Sequence, residues 1–167
     1  MKEFLRVRLE GMFQEADRLI NAKSTSEAFN MLTTIITEEP GFAKAYNHLG
    51  WIYYWRFKDK ENAEKNYKKA IELNPDYYAT YYNYATLLSS VQRWNDLTDL
   101  LNKALKVPGI DKGTIYNEFG IMYETQRKYR EAIEAYKNYV AETNDSSLVD
   151  KAIESIERCK KKIELLG

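Results

Sequence analysis

The chain is poor in the residues that carry most protein chemistry. Among 167 residues there is one cysteine, Cys159, and one histidine, His48. A lone cysteine forms no intrachain disulfide, which permits a reducing compartment. With a single imidazole far along the chain from a single thiol, neither a His/Cys metal cage nor a Cys/His nucleophile pair assembles. The seven glycines fall at turns, at the C-terminus or at small-residue packing positions, and none builds a phosphate-cradling loop. No metal and no cofactor are expected. Charge of neither sign is in excess, with 25 basic and 25 acidic residues, so no net field draws the protein to nucleic acid or to an anionic membrane. The longest uninterrupted apolar run, Trp51 to Trp55, is far short of the roughly 20 residues of a membrane span. At the N-terminus Lys2, Glu3, Arg6, Arg8 and Glu10 interrupt Phe4, Leu5, Val7 and Leu9, which is not a signal-peptide core. Carboxylates are scattered over the chain and no pair stands out as an acid/base couple. The expectation is a cytoplasmic protein that is not an enzyme, does not insert into a membrane and does not bind nucleic acid.

What is present is a period. Read at about 100° per residue, Ala43 to Asp76 places Tyr46, Leu49, Gly50 and Tyr53 on one helical face, then Ala63, Tyr67, Ala70 and Ile71 on another. That is a helix, a turn and a second helix, stopped at Asn74-Pro75-Asp76 because proline lacks the donor that a continuing helix needs. Neither helix buries its stripe alone, so the pair calls for copies of itself. Tyr46, Tyr81 and Tyr116 are 35 residues apart, as are Gly50, Ala85 and Gly120. In the second helices Ala28, Ala63, Leu97 and Ala132, and likewise Leu32, Tyr67, Leu101 and Tyr136, recur at 34 or 35. The only three prolines, Pro40, Pro75 and Pro108, fall at the ends of repeats.

With Tyr46, Leu49-Gly50, Tyr53, Ala63, Tyr67, Ala70 and Pro75 in these positions, the sequence resembles the tetratricopeptide repeat, a helix-turn-helix of about 34 residues. The likeness covers most of the chain. It implies an all-α fold, a right-handed superhelix (α-solenoid) of four helix-turn-helix repeats plus a C-terminal capping helix. The expected organisation is a single domain, 1–167, with repeats at about 9–42, 43–77, 78–112 and 113–146 and the cap at 147–167. The second repeat has one extra residue, placed in the turn Lys58 to Asn62. The third is the loosest, with Tyr84-Ala85 for Leu-Gly and Leu97 for the first alanine. The fourth has Tyr139 where a small residue is usual, and the first keeps its signature only in its second helix.

Ser24 with Glu27 is a capping-box pattern that starts a helix. Asp76 and Asp111 are placed to cap the first helices of the third and fourth repeats. The last helix sets Val149, Ala152, Ile153, Ile156, Cys159, Ile163 and Leu166 on one side and charges on the other, with Glu154/Arg158 and Glu157/Lys161 at i,i+4 spacing. That pattern is the form of a solenoid cap, the alternative being a docking helix for a second subunit. The run Arg158 to Lys162 reads as a solvated face suited to the helix dipole.

A second stripe on the first helix of the second repeat, Asn47, Trp51, Tyr54 and Trp55, centres about 130° from the core stripe. In the resembled family the first helices line a concave surface, and these offsets face a bound peptide. The equivalent positions include Tyr82, Asn83 and Thr86 in the third repeat, Asn117, Glu118 and Ile121 in the fourth, and Phe13, Gln14, Asp17, Ile20 and Asn21 in the first. An asparagine both donates and accepts, so Asn47, Asn83 and Asn117 suit the backbone of an extended peptide. Trp51, Tyr54, Trp55 and Tyr82 supply rigid apolar area for anchoring side chains. The alternative for Trp51 and Trp55 is packing against the elongated turn or the adjacent repeats. His48 reads as a surface histidine. The best-known branch of the family grips a C-terminal carboxylate with two lysines, two asparagines and an arginine. Those places hold Asn47, Trp51, Asn83, Thr114 and Glu118, of which only Asn83 matches, so a co-chaperone of that kind is not expected. The expected function is a non-catalytic, monomeric adaptor that holds a peptide or protein segment in its groove. The alternative is a scaffold that forms homo-oligomers through its repeat ends or convex face.

Overall fold

A computed structural model describes residues 2–166. Among the described residues 82% are helical and no strand occurs. The order is α1 (Lys2–Asn21), α2 (Thr25–Glu38), α3 (Ala43–Ile52), a π-helical turn (Tyr53–Phe57), α4 (Lys60–Leu73), α5 (Ala79–Ser90), α6 (Trp94–Ala104), α7 (Lys112–Thr125), α8 (Tyr129–Glu142) and α9 (Ser146–Leu166). This is the expected alternation of paired helices, a helical-repeat fold. Two compact units are formed, one ending at Leu87 and the other beginning at Leu88.

The first unit packs α1 on α2, α2 on α3 and α3 on α4. Its core joins Leu9, Phe13 and Ala16 of α1 with Ala28, Leu32 and Ile35 of α2 and Ala45, Leu49 and Ile52 of α3. Phe13, expected on the open face of the first repeat, is in that core because α1 meets α3 as well as α2. The single-stripe reading of α3 also needs correction. Ala43, Ala45, Asn47 and Ile52 are buried besides Leu49 and Gly50, while Tyr46 and Tyr53 are only partly covered. A helix with neighbours on two sides has two buried faces. His48 is mostly covered too, with Nδ1 at 3.1 Å from the Lys44 carbonyl and Nε2 at 3.0 Å from the Asp17 carboxylate. Both of its partners are acceptors. In the second unit α7 packs on α8 and α8 on α9, around Ala132, Tyr136 and Cys159.

The helix stops are local. Pro40, Pro75 and Pro108 each follow a helix end. The first helix of each pair ends instead on a left-handed residue, Lys23, Lys58, Gln92 or Arg127. In three of these turns the following backbone N–H reaches the carbonyl five residues back: Ser24 to Leu19, Arg93 to Leu88 and Lys128 to Tyr123. That closure satisfies one of the orphan carbonyls of a helix end. In the second repeat the same bond, Asp59 to Tyr53, spans six residues. The extra residue is therefore not in Lys58 to Asn62 but inside the helix, where Tyr53–Phe57 widens into a π turn. One inserted residue has this effect because the next helix still starts from a fixed cap, Asp59, which accepts from the Asn62 N–H at 2.9 Å.

Of the other cap expectations, two hold in position but not in bonding and one fails. Ser24 and Asp111 are N-caps without a side-chain bond to the helix backbone; Asp111 takes the Thr114 hydroxyl instead. Asp76 is not a cap, since α5 begins at Ala79 and Asp76 donates its own N–H to Asn74 Oδ1.

The small-residue positions are set by volume. A Cβ on Gly50 would lie 2.6 Å from Cε1 of the Tyr67 ring, and one on Gly120 would meet Tyr136 closer still. Where the second helix offers leucine instead of tyrosine, as with Leu32 and Leu101, the first helix has Ala16 and Ala85. We expect Gly50→Ala to destabilise by about 1 to 3 kcal/mol through overpacking. Adding Tyr67→Leu should recover part of that loss. Urea unfolding of the two single variants and the double variant measures the coupling; fully additive changes would show that the ring and the glycine do not compete for space.

Candidate functional site

Seven of the ten residues on the expected binding face belong to the first unit. Asn47 of α3 is 3% exposed, and its Oδ1 accepts from Asn83 Nδ2 of α5 at 3.0 Å. Two of the three asparagines thus meet each other. Trp51 is partly buried against the core of α1, α2 and α3, and the Arg56 guanidinium stands 5.6 Å from its ring centre. Tyr54 is partly buried and makes an edge contact with Trp55 at 4.8 Å. Trp55 is 45% exposed, with the Lys58 ammonium 5.8 Å from its ring centre. Tyr82 makes an edge contact with Tyr78 at 6.1 Å, and Thr86 turns its hydroxyl back to the Tyr82 carbonyl. The first unit therefore presents Tyr54 and Trp55 on the π turn, Tyr78 just before α5 and Tyr82 in its first turn, partly or largely exposed. Exposed aromatic rings with one wet side are the kind of group that anchors a protein ligand.

The other three, Asn117, Glu118 and Ile121, are on α7 in the second unit. Ile121 is exposed, while Glu118 is partly buried and desolvation raises its carboxyl above the usual range.

One turn further along α7 is an arrangement that the sequence pattern does not announce. Glu124 accepts from Arg158 Nε and Nη2 of α9, both at 2.8 Å, from Lys162 Nζ at 3.0 Å and from the Tyr136 hydroxyl at 3.1 Å. The Arg158 bonds, helped by Lys162 and Tyr136, hold its carboxyl down to about 2 against the opposing effect of burial. The i,i+4 pairs expected on α9 are not made: Arg158 turns to Glu124, and Glu157 pairs with Lys160. Along the side of α9 expected to pack, only Ala152 and Cys159 are fully buried, while Ile153 and Leu166 are exposed. Helix α9 is thus held by a charged contact as much as by apolar cover.

Tyr67, the counterpart of Tyr136, has a different surrounding. Burial, and to a lesser degree the neighbouring Tyr54, raises its hydroxyl, and that hydroxyl has no acceptor among the described residues. Position Tyr54 of the second repeat corresponds to Glu124 of the fourth, each four residues after its glycine. Also missed in the sequence pattern were Arg56, Lys58, Phe57 and Tyr78. The five-residue step from Trp51 to Arg56 has meaning only in a π turn, and that turn follows from the repeat's one-residue excess over its neighbours.

Two family models described as tetratricopeptide repeat match the chain, over residues 43–77 and 66–106. The Hsp70-Hsp90 organising protein of Plasmodium falciparum (isolate 3D7) is 28% identical over 117 residues, which is 66% of this chain and 21% of that protein. The chain thus spans about a fifth of the length of that curated relative. Among solved structures, the N-terminal domain of stress-induced protein-1 from C. elegans superposes with a TM-score of 0.61 at 27% identity, covering 68% of this chain and 93% of that one. Pseudomonas aeruginosa PilF has a TM-score of 0.81 at 15% identity, covering 95% and 72%, a likeness of fold alone.

Two outcomes follow from the tyrosine pair and Glu124. Tyr136→Phe should cost about 1 to 2 kcal/mol, because it removes a hydrogen bond to a charged group, whereas Tyr67→Phe should be neutral or slightly stabilising, because it removes an unpaired buried hydroxyl. Equal losses in melting experiments would contradict the assignment. Since the folded Glu124 carboxyl lies at about 2, below its ordinary 4.5, its stabilisation is complete above about pH 5 and disappears as the pH falls toward 2. The contribution lost is about 1 to 3 kcal/mol, the lower end reflecting solvent around Arg158 and Lys162. Glu124→Gln should flatten the acid limb of the stability curve by that amount, and an unchanged limb would refute it.

Proposed function

Because the chain carries tetratricopeptide repeats, we propose that it is a non-catalytic adaptor that binds a peptide or protein segment on the first-helix face of its repeats. The observation that carries this reading is the aromatic surface of the first unit, where Trp55 is 45% exposed beside Tyr54 and Trp51 instead of being folded into the core. An apolar ring left in water in a chain with buried positions to spare is more useful to a partner than to the fold. In this reading Trp55, Tyr54 and Tyr82 anchor ligand side chains, and Trp51 supports them from a partly buried position. Asn83 and Thr86 line the same face in the first unit, with the Asn47/Asn83 bond as its polar floor. Asn117, Glu118 and Ile121 form the corresponding surface of the second unit. Of the five positions that grip a terminal carboxylate in co-chaperones, only Asn83 matches and the others hold Asn47, Trp51, Thr114 and Glu118, so a free C-terminus is not the feature recognised.

A second reading, assembly of copies through their ends, is favoured by one observation. Phe4 and Val7 on α1 are 76% and 68% exposed, and Leu165 and Leu166 on α9 are 83% and 70% exposed. Light scattering over a concentration series separates the readings, since growth with concentration favours assembly and a constant monomer mass favours the adaptor.

Trp55→Ala is the test of the adaptor. Its stability change should stay within about 0.5 kcal/mol because the side chain is half exposed, while affinity for captured partners should fall about tenfold or more. Trp51→Ala should instead lower stability by about 1 to 3 kcal/mol through lost packing. A Trp55→Ala protein that melts as the parent does and holds its partners as tightly would sink the proposed surface.

A further inference from the structure

The π turn of the first unit and the residue after it display two cations that rest on ring faces. Arg56 and Lys58 are held over the faces of Trp51 and Trp55, and among the described residues neither has a carboxylate partner. Helix α4, which follows directly, pairs three of its four lysines, Lys65 with Glu61, Lys68 with Glu64 and Lys69 with Glu72. The acid that follows the turn, Asp59, is occupied, accepting from Asn62 N and from Asn62 Nδ2. The Tyr67 hydroxyl of the same unit is also buried without an acceptor.

In the second unit two cations of the last helix are paired instead. There a tyrosine hydroxyl and two cations, Tyr136, Arg158 and Lys162, converge on one carboxylate, Glu124. In the first unit Tyr54 stands at the equivalent place and the acid is absent.

We propose that the partner segment supplies this acid: the first unit takes a peptide with a side-chain carboxylate on Arg56 and Lys58 and an adjacent apolar side chain against Tyr54 and Trp55. The inference rests on the adaptor reading above and adds the chemistry of its ligand. A basic segment would meet two like charges on this surface, and a neutral one would leave both cations as they are. An acidic one gains charge-assisted hydrogen bonds, with the planar guanidinium able to take a carboxylate with two parallel N–H donors. The rings serve twice, as apolar contact and as the platform that fixes the cations.

The test is a library of random octapeptides blocked at both ends, so that no terminal carboxylate takes part, screened against the intact protein. Asp and Glu should be enriched about threefold or more beside an apolar position among the binders. Their affinity should fall about tenfold in Arg56→Gln with Lys58→Gln, and comparably between low and high salt. Glutamine is a suitable replacement at Lys58, because Gln92 holds the same left-handed position in the third repeat. Neutral or basic binders, or acidic binders indifferent to the double variant, overturn the inference. If such binders still weaken in Trp55→Ala, the adaptor reading survives that result. Binders indifferent to Trp55→Ala, or no binders at all, overturn both.

Discussion

The approach of a tyrosine ring to bare helix backbone is the contact on which the second and fourth repeats depend. Tyr67 lies over Gly50 and Tyr136 over Gly120 so closely that a single methyl group has no room. That fit sets the spacing within a helix pair and so determines which of the remaining positions are covered. It also brings a polar group into the interior, since each ring carries a hydroxyl. The fourth repeat satisfies its hydroxyl with Glu124, and the second does not. Two sites with the same packing solution therefore differ in their electrostatics.

That difference organises the surfaces of the molecule. In the second unit Glu124 draws Arg158 and Lys162 across from α9, so the last helix is fastened by a charged network. In the first unit the same region is aromatic and its cations rest on ring faces. The π turn contributes by geometry. One residue more than its neighbours widens Tyr53–Phe57 and leaves Trp55 and Phe57 outside. The widened turn is braced from within, since Phe29, Tyr53 and Phe57 contact one another edge-on at 5.2 to 5.6 Å. The same inserted residue thus exposes some rings and is stabilised by others.

Much of the fold was legible because its causes are local. A 34- or 35-residue recurrence of tyrosine, glycine and alanine specifies helix pairs, and prolines mark where they stop. The spare aromatic stripe was visible as well, as apolar residues in the wrong phase for one buried face. Its internal division was not. Asn47 and Trp51 share that stripe with Trp55, yet Asn47 is buried and Trp51 half-covered, because α3 has neighbours on two sides and a stripe angle does not say how many. The extra residue was countable in the sequence, but its location was not, since either the turn or the helix end can absorb it.

The sequence by itself determined the repeat, the helix pairs, the small residues under the tyrosines and the restriction to one histidine and one cysteine. All of these rest on contacts within a few turns of chain or on residue types that are simply present or missing. Only the tertiary structure decided which polar groups share a partner. Asn47 with Asn83, Glu124 with Arg158 and Glu124 with Lys162 join residues 36, 34 and 38 positions apart. At such separations the choice between a local i,i+4 neighbour and a distant one depends on which helix is packed alongside. No periodicity within one helix contains that information.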